Sequence, residues 1–231
     1  MRSDRRCGRT RAASEKRQRL IKAVGPRLAV PAAILAVVCA GAARAADAQT
    51  GSVSPGQVQA KMHYCEICHG AQAQGFPGYY PIPRLAGQPV EYLEGQLKGF
   101  STTARKFNVM NQVSHSLSLA MIAALATNFN KLNPRPVNGA PRDLAAAGKT
   151  IFDDGIPGAK VPPCASCHGA DGKGAGQFPR LAGQLYPYVV RQLTVWRTER
   201  AEANASVMAP IARSLNETQI KAVAAYVANL E

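Results

Sequence analysis

The chain has few aromatic side chains and few acids, and beyond its N-terminal segment it has no cysteine for a structural disulfide outside two short motifs. Aromatic residues make up 6% of its 231 residues, with a single Trp. Of its six cysteines, two lie near the N-terminus and four lie inside two short motifs of one pattern. The length suits one large domain or two small ones. Small domains have marginal cores, so we expect something besides side chains to fill them.

Sustained alternation of apolar and polar residues, the pattern of a half-buried strand, is also missing. Apolar residues instead recur at helical spacing, as in the C-terminal segment with Ile220, Val223, Ala224 and Val227. Helix starts are predicted at Ser54–Pro55, Ser118 and Asn216, since these residue types favour the N-cap and first helical positions. Further helices are predicted within residues 88–100, 142–154 and 184–196. The sequence therefore predicts an all-α fold.

The N-terminal segment differs from the rest of the chain. Residues 1–45 hold 11 Lys and Arg against two acids, and an apolar run of 16 residues follows at 28–43. A membrane-spanning helix needs about 20 residues, and small residues at 43–45 suit a signal peptidase. We therefore predict a signal peptide at 1–45, with a second cleavage position after residue 48. Membrane association would follow only from an uncleaved leader, and the valines before Cys39 argue against a lipoprotein.

Removing the leader changes the charge argument. The whole chain has 28 basic and 14 acidic residues, and the leader holds 11 and two of them. The remaining chain therefore carries 17 basic and 12 acidic residues, a net charge of +5. Most of the excess positive charge is lost with the leader, which excludes a nucleic-acid interpretation of the high pI.

The chain after the leader is an internal duplication. Three blocks occur twice in the same order: CEICHGA (65–71) and CASCHGA (164–170), PRLAGQ (83–88 and 179–184), and NVMNQVSHSLS (108–118) with SVMAPIARSLN (206–216). A proline-rich segment lies between the copies, as expected of a semi-rigid linker. We predict a first domain at 46–131, a linker at 132–141 and a second domain at 142–231.

The repeated Cys-x-x-Cys-His motif has four interpretations. A zinc site would leave the repeated histidine as a coincidence, and a thioredoxin-like dithiol needs a strand-to-helix setting that is missing here. A disulfide within the motif closes too short a loop to stabilise much. Covalent haem explains every position: the thiols bond the two vinyl groups and the histidine binds the iron. We therefore predict covalent haem at Cys65 and Cys68, and again at Cys164 and Cys167.

The sixth iron ligand should recur in both halves. Met110 and Met208 do so, about 40 residues after their histidines, whereas Met62, His63 and Met121 have no counterparts. A single methionine in a helical protein is usually core filler, but the repeat favours these two as ligands. His115 aligns with Arg213 and remains the alternative to Met110 as the sixth ligand of the first iron.

These motifs together resemble the di-haem cytochrome c4 family, which consists of two fused class I cytochrome c domains. The resemblance covers nearly all of the chain after the leader. It implies two covalent haem c groups, with axial ligands His69 and Met110 on one iron and His168 and Met208 on the other. In related cytochromes a proline carbonyl orients the proximal histidine, which implies Pro83 and Pro179 here, with Pro81 as an alternative to Pro83. The first half departs from the family pattern in the segment before Met110 and by three extra residues in GFPGYYPIP.

The resemblance also implies a role. It predicts a periplasmic electron carrier, not an enzyme, between respiratory-chain donors such as a cytochrome complex and terminal oxidases or reductases. Two alternatives remain: an electron-transfer subunit of a periplasmic dehydrogenase, and a di-haem peroxidase, which would need one open haem site. Tyr92 and Tyr188 recur as candidates for haem contact or as ordinary core aromatics. No nucleic-acid partner is expected.

Overall fold

A computed structural model of the chain describes residues 52–137, 139–198 and 205–231. Within these ranges the fold is helical, with no strand and three isolated β-bridges. The helices are α1 (Pro55–His69), α2 (Val90–Ser101), α3 (Asn108–His115), α4 (Leu119–Asn130), α5 (Ala145–Asp154), α6 (Ala165–His168), α7 (Tyr186–Thr198), α8 (Ala205–Arg213) and α9 (Glu217–Asn229). The all-helical prediction is confirmed, whereas the predicted leader at 1–45 lies outside the described residues.

Three helices begin where the sequence predicts. Ser54 caps α1 by accepting a hydrogen bond from the Gln57 amide, and the Gln57 side chain accepts one from the Ser54 amide in return. Ser118 caps α4 through the Met121 amide. Asn216 forms with Gln219 the same two-way cap at α9. Such caps satisfy amides that the helix cannot pair and stabilise it by about 1 kcal/mol each.

The helices pack into two clusters that follow the sequence repeat. In the first half, α1 packs on α4, and α2 contacts α3 and α4. In the second half, α5 packs on α9, and α7 contacts α8 and α9. The predicted apolar face of α9 is buried in the second cluster, where Ile220, Val223, Ala224 and Val227 are at most 5% exposed. Thr50–Glu231 forms one compact unit containing both halves.

The second half contains one very close helix crossing. A Cβ built on Gly148 of α5 would lie 2.0 Å from the backbone oxygen of Ala222 in α9. No side chain fits at that distance, so glycine allows the two backbones to touch. This contact brings α5 against the buried face of α9.

The two halves differ in how the chain reaches the Cys-x-x-Cys-His motif. In the first half α1 continues without a break to His69. In the second half α5 ends at Gly155, and a loop with a short 3₁₀ turn at Pro157–Ala159 precedes α6. The motif histidine thus ends a fifteen-residue helix in one half and a four-residue helix in the other.

Three short helices were not predicted from the sequence, and one of them is the four-residue α6. The other two are α3 and α8, and each carries one of the repeated methionines, Met110 or Met208. Both are shorter than ten residues, too short for a periodic pattern to identify, and α8 contains Pro210.

Membrane-spanning length is not reached by any one helix of the described ranges. The consecutive helices α3 and α4 are long and apolar enough for a membrane span only when taken together, and a 116° bend separates them. The second of these helices packs within the first-half core through Met121, Leu125, Ala126 and Phe129.

Candidate functional site

The two motif histidines have the same hydrogen bond. His69 Nδ1 lies 2.8 Å from the carbonyl oxygen of Pro83, and His168 Nδ1 lies 2.9 Å from that of Pro179. A carbonyl can only accept, so Nδ1 carries the proton and Nε2 keeps its lone pair. This is the arrangement in which a second group orients a metal-binding histidine. The prediction that Pro83 and Pro179 serve this purpose is confirmed, and His69 bonds Pro83 in place of the alternative Pro81.

Both imidazoles are held neutral by their surroundings. His69 is 7% exposed and His168 is 6% exposed. Burial lowers the pKa of each ring, and the hydrogen bond to the proline carbonyl offsets part of that effect. A neutral imidazole with a free Nε2 lone pair is the form that binds iron.

The four motif cysteines lie in two different settings, and none of them forms a disulfide. Cys65 and Cys164 are half-buried, whereas Cys68 and Cys167 are exposed. Burial raises the pKa of Cys65 and of Cys164 to about 11 in each case. At neutral pH both are therefore protonated, and a neutral thioether suits these surroundings better than a thiolate does.

A four-ligand zinc site receives no support from the geometry. Within the part of the chain that the structure describes, no three His, Cys, Asp or Glu side chains are grouped so that they could hold a metal ion. The two thiol pairs therefore do not combine into one site, as the zinc interpretation requires.

A large cavity opens beside the second motif. Its volume is about 740 Å³, and Cys164, Cys167, His168 and Met208 all line it. Apolar side chains of the second-half core line it further, among them Val189, Leu193, Trp196, Leu215, Val223 and Val227. The volume lies within the range of cofactor sites. Two thiols, one neutral imidazole and one thioether against apolar walls fit a covalently bound haem.

The first half supplies part of the wall of this second cavity. Glu91, Tyr92 and Gln96 of α2 line it, as does Arg105. Tyr188 of α7 lies on the same wall, and its hydroxyl is 3.3 Å from Arg105 Nη2. Both repeated tyrosines thus border the second cavity.

The predicted ligands of the first half line neither of the two cavities described here. Met110 is half-buried on α3, and His115 is exposed at the end of that helix. A cavity of about 290 Å³ lies between α1 and α3, but its walls are Lys61, Tyr64, Val109, Gln112, Val113 and Ser116. Neither Met110 nor His115 lines that cavity.

The two PRLAGQ blocks face each other across the contact between the halves. Gln88 donates to the Arg180 carbonyl at 2.8 Å and accepts from the Arg180 amide at 3.0 Å. Gln184 does the same to Arg84, at 3.0 and 2.8 Å. Each block thus pairs reciprocally with the other, about 100 residues away. Buried hydrogen bonds of this kind fix one arrangement of the halves.

This pairing is the part of the site that sequence reasoning missed. The repeated block was used only to align the halves and to identify the family. The block recurs without change and contains two polar residues, Arg and Gln. This recurrence indicates a structural role for the block, because a loop with no shared role would not keep six identical residues.

The comparisons with known proteins point in one direction. A family model described as Cytochrome c matches residues 145–231. Cytochrome c-552 of Acidithiobacillus ferridurans is 40% identical over 200 residues, covering 84% of each chain. The thiosulfate dehydrogenase electron acceptor of Thiomonas intermedia (strain K12) is 34% identical over 201 residues, 84% of this chain and 89% of that protein. The solved cytochrome c4 of Acidithiobacillus ferrooxidans matches with a TM-score of 0.62 and 37% identity, over 72% of this chain and 98% of that one.

Proposed function

The chain belongs to the di-haem cytochrome c4 family, and from this premise we propose that it is a periplasmic carrier with one haem in each half. The predicted family is thereby confirmed, and with it an electron-carrying cytochrome with covalently bound haem c. The comparisons give no support to a di-haem peroxidase, since the relatives are named as cytochromes and electron acceptors.

The proposed domains are residues 46–131 and 142–231, with a linker at 132–141 and a leader at 1–45. Matching hydrogen bonds support the duplication: Gly75 and Gly174 each donate to the carbonyl of their own motif histidine, at 2.7 and 2.8 Å. The periplasmic location rests on the leader pattern in the sequence and on the family.

One observation supports the haem sites above all others. The second cavity has two thiols, an oriented imidazole and a methionine on its walls. We assign thioether bonds to Cys65, Cys68, Cys164 and Cys167. The axial ligands are His69 with Met110, and His168 with Met208.

The residues of the chain hold the cofactor and tune it. Bound haem iron supplies reversible one-electron exchange. The carbonyls of Pro83 and Pro179 keep the histidine Nε2 atoms directed for ligation. The apolar core around the second cavity excludes water, and a methionine ligand favours the ferrous state and so raises the potential. A ligand on each side of the iron leaves no position for a substrate, as expected of a carrier.

A second candidate concerns the electron donor. One relative is named as the electron acceptor of a thiosulfate dehydrogenase and matches 84% of this chain. The chain would then take electrons from a periplasmic dehydrogenase of that class, either as a separate carrier or as its subunit. The alternative donor is a cytochrome complex of the respiratory chain.

The test is electron delivery to the purified holoprotein. Oxidised protein is mixed anaerobically with thiosulfate dehydrogenase and thiosulfate, and haem reduction is followed optically. A carrier of this class is reduced by two electrons per chain and is then reoxidised by a terminal oxidase. Slow or absent reduction by the dehydrogenase, together with fast reduction by a cytochrome complex, would select the other donor. Turnover of peroxide by a high-spin haem would contradict the carrier role.

A further inference from the structure

Two arginines are buried where the PRLAGQ blocks meet. Arg84 is 1% exposed and Arg180 is 6% exposed. No carboxylate of the described chain lies within salt-bridge distance of either guanidinium. Burying a cation without an anion is strongly unfavourable, so each guanidinium needs either several hydrogen-bond acceptors or a negative charge within reach.

The surroundings of the pair agree with that conclusion. Burial, and after it the nearby charge of Arg180, lower the pKa of Arg84 to about 10. Burial also lowers the pKa of Arg180, and the Asp171 carboxylate partly offsets this. Asp171 itself is paired with Lys173 at the surface. Both arginines keep their charge at neutral pH.

The two arginines differ in what they contact. Arg84 donates from Nε, Nη1 and Nη2 to neutral acceptors: the Ala86 and Pro134 carbonyls and the Asn133 side-chain oxygen. Residues 133 and 134 belong to the proposed linker, so the linker holds Arg84. Arg180 donates from Nε to the Ala182 carbonyl and lines the second cavity. Arg180 is therefore the one that can reach a group bound there.

The first half holds Arg180 in place. Gln88 bonds both the amide and the carbonyl of Arg180. Gly87 has a φ of +71°, and a Cβ built on it would lie 3.1 Å from Arg180 Nη1. A larger residue at this position would press on the guanidinium, so glycine leaves room for it.

We propose that Arg180 binds a carboxylate of the haem in the second cavity, one of its propionates, and that Gln88 of the first half positions this arginine. The proposal rests on the proposed function, because it requires haem in that cavity. Bidentate guanidinium–carboxylate pairs are strong and geometrically specific. The first half would thereby help to set the redox properties of the second haem.

The consequence can be measured without an enzyme assay. A fixed positive charge near the iron favours the ferrous state, which has one positive charge fewer than the ferric state. Arg180→Gln should therefore lower the midpoint potential of the second haem and leave the first unchanged. It should also shift the propionate bending band in the resonance Raman spectrum. Arg180→Lys keeps the positive charge but loses the planar guanidinium. It should leave the midpoint potential of the second haem close to that of the parent protein and still shift the propionate band.

Arg84→Gln is the matched control, because Arg84 occupies the same repeat position, is equally buried and does not line the cavity. It should lower the melting temperature and leave the propionate band of the second haem unchanged. A Met208→His background lowers the potential of the second haem and so separates its wave from that of the first. Gln88→Ala should reproduce part of the Arg180→Gln shift.

The outcomes distinguish a failure of the proposed function from a failure of the role proposed for Arg180. Fewer than two haems per chain in the parent protein would overturn the proposed function. Two haems with unshifted potentials and an unshifted propionate band in Arg180→Gln would overturn only the role of Arg180, and would leave it a structural residue. If Arg180→Gln does not fold, Arg180→Lys and Gln88→Ala carry the same test through the Raman band.

Discussion

The two halves share their motifs, and the cavities described in them differ in what lines them. In the second half, His168, Met208 and both thiols border one cavity of about 740 Å³. In the first half, a proline carbonyl orients His69 in the same way, and neither His69 nor Met110 lines the cavity between α1 and α3. The motif histidine is therefore held alike in both halves, whereas only the second methionine borders a described cavity. Sequence identity is also concentrated on the proximal side, in the Cys-x-x-Cys-His and PRLAGQ blocks.

The first half also has a longer loop after its Cys-x-x-Cys-His motif. Equivalent β-bridges join Phe76 to Ile82 and Ala175 to Phe178, so the first-half loop is three residues longer. Tyr80 of that loop stacks on Phe107, with ring centroids 5.4 Å apart. The Arg191 guanidinium of α7 lies over the Tyr80 ring, 4.4 Å from its centroid. The insertion thus reaches from the segment before Met110 to the second half.

The largest expected effect follows removal of each haem attachment in turn. Cys65→Ala with Cys68→Ala, and Cys164→Ala with Cys167→Ala, should each leave one haem per chain by pyridine haemochrome assay. The second pair should also unfold the second half. Without the cofactor, water enters the space of about 740 Å³ and the apolar side chains that line it lose their burial, which removes a large part of the favourable free energy of folding. Far-UV circular dichroism measures the loss, and unchanged helicity would contradict this role of the haem.

The methionines test whether the distal sides are equivalent. Met110→Ala and Met208→Ala should each remove about half of the ferric methionine-to-iron charge-transfer absorption, because each removes one of two such ligands. The visible spectrum of the oxidised protein measures this directly. An unchanged band in Met110→Ala, together with the appearance of a high-spin haem in His115→Ala, would assign His115 to the first iron and make the halves chemically different.

The close contact between α5 and α9 at Gly148 is a feature of the second half, and a substitution there tests how much this packing stabilises the protein. Gly148→Ala places a methyl group where the backbone of Ala222 lies, and overpacking of this kind costs about 3 kcal/mol. Urea unfolding of the holoprotein measures the change. Gly56→Ala in α1 is the control, since nothing lies within 4 Å of its Cβ. It should be stabilising by less than about 1 kcal/mol, and equal losses in both variants would refute the argument.

The smallest effect concerns one hydroxyl. Ser114 is fully buried, and its Oγ has no hydrogen-bond partner among the described residues. The equivalent residue in the repeat is Ala212, also fully buried. Ser114→Ala should raise the free energy of unfolding by about 1 kcal/mol, and Ala212→Ser should lower it by about 1–3 kcal/mol. Destabilisation by Ser114→Ala would mean that the hydroxyl bonds a group in the holoprotein.

Much of the fold could be predicted because it depends on local rules. The caps at Ser54, Ser118 and Asn216 need only the right residue beside an apolar run. The two motif histidines could be predicted as candidate iron ligands because the spacing of Cys-x-x-Cys-His is typical of covalent haem attachment. The buried face of α9 followed from a 3.6-residue period.

The remaining features depend on contacts between distant segments. The Arg84–Gln184 and Arg180–Gln88 pairs join residues 100 and 92 positions apart, and no single segment encodes them. The contact of Gly148 with Ala222 likewise looks like an ordinary helical glycine in the sequence. The helices α3 and α8 are too short to stand out by period, and they form because tertiary packing overrides weak local propensity.

The central claim is that each half holds one haem between a histidine and a methionine. A potentiometric titration of the purified holoprotein, followed by optical spectra, tests it most directly. We predict two haems per chain, both low-spin, with a ferric charge-transfer band of the intensity expected for two methionine-ligated irons. A single haem, a high-spin component or the absence of that band would contradict the account.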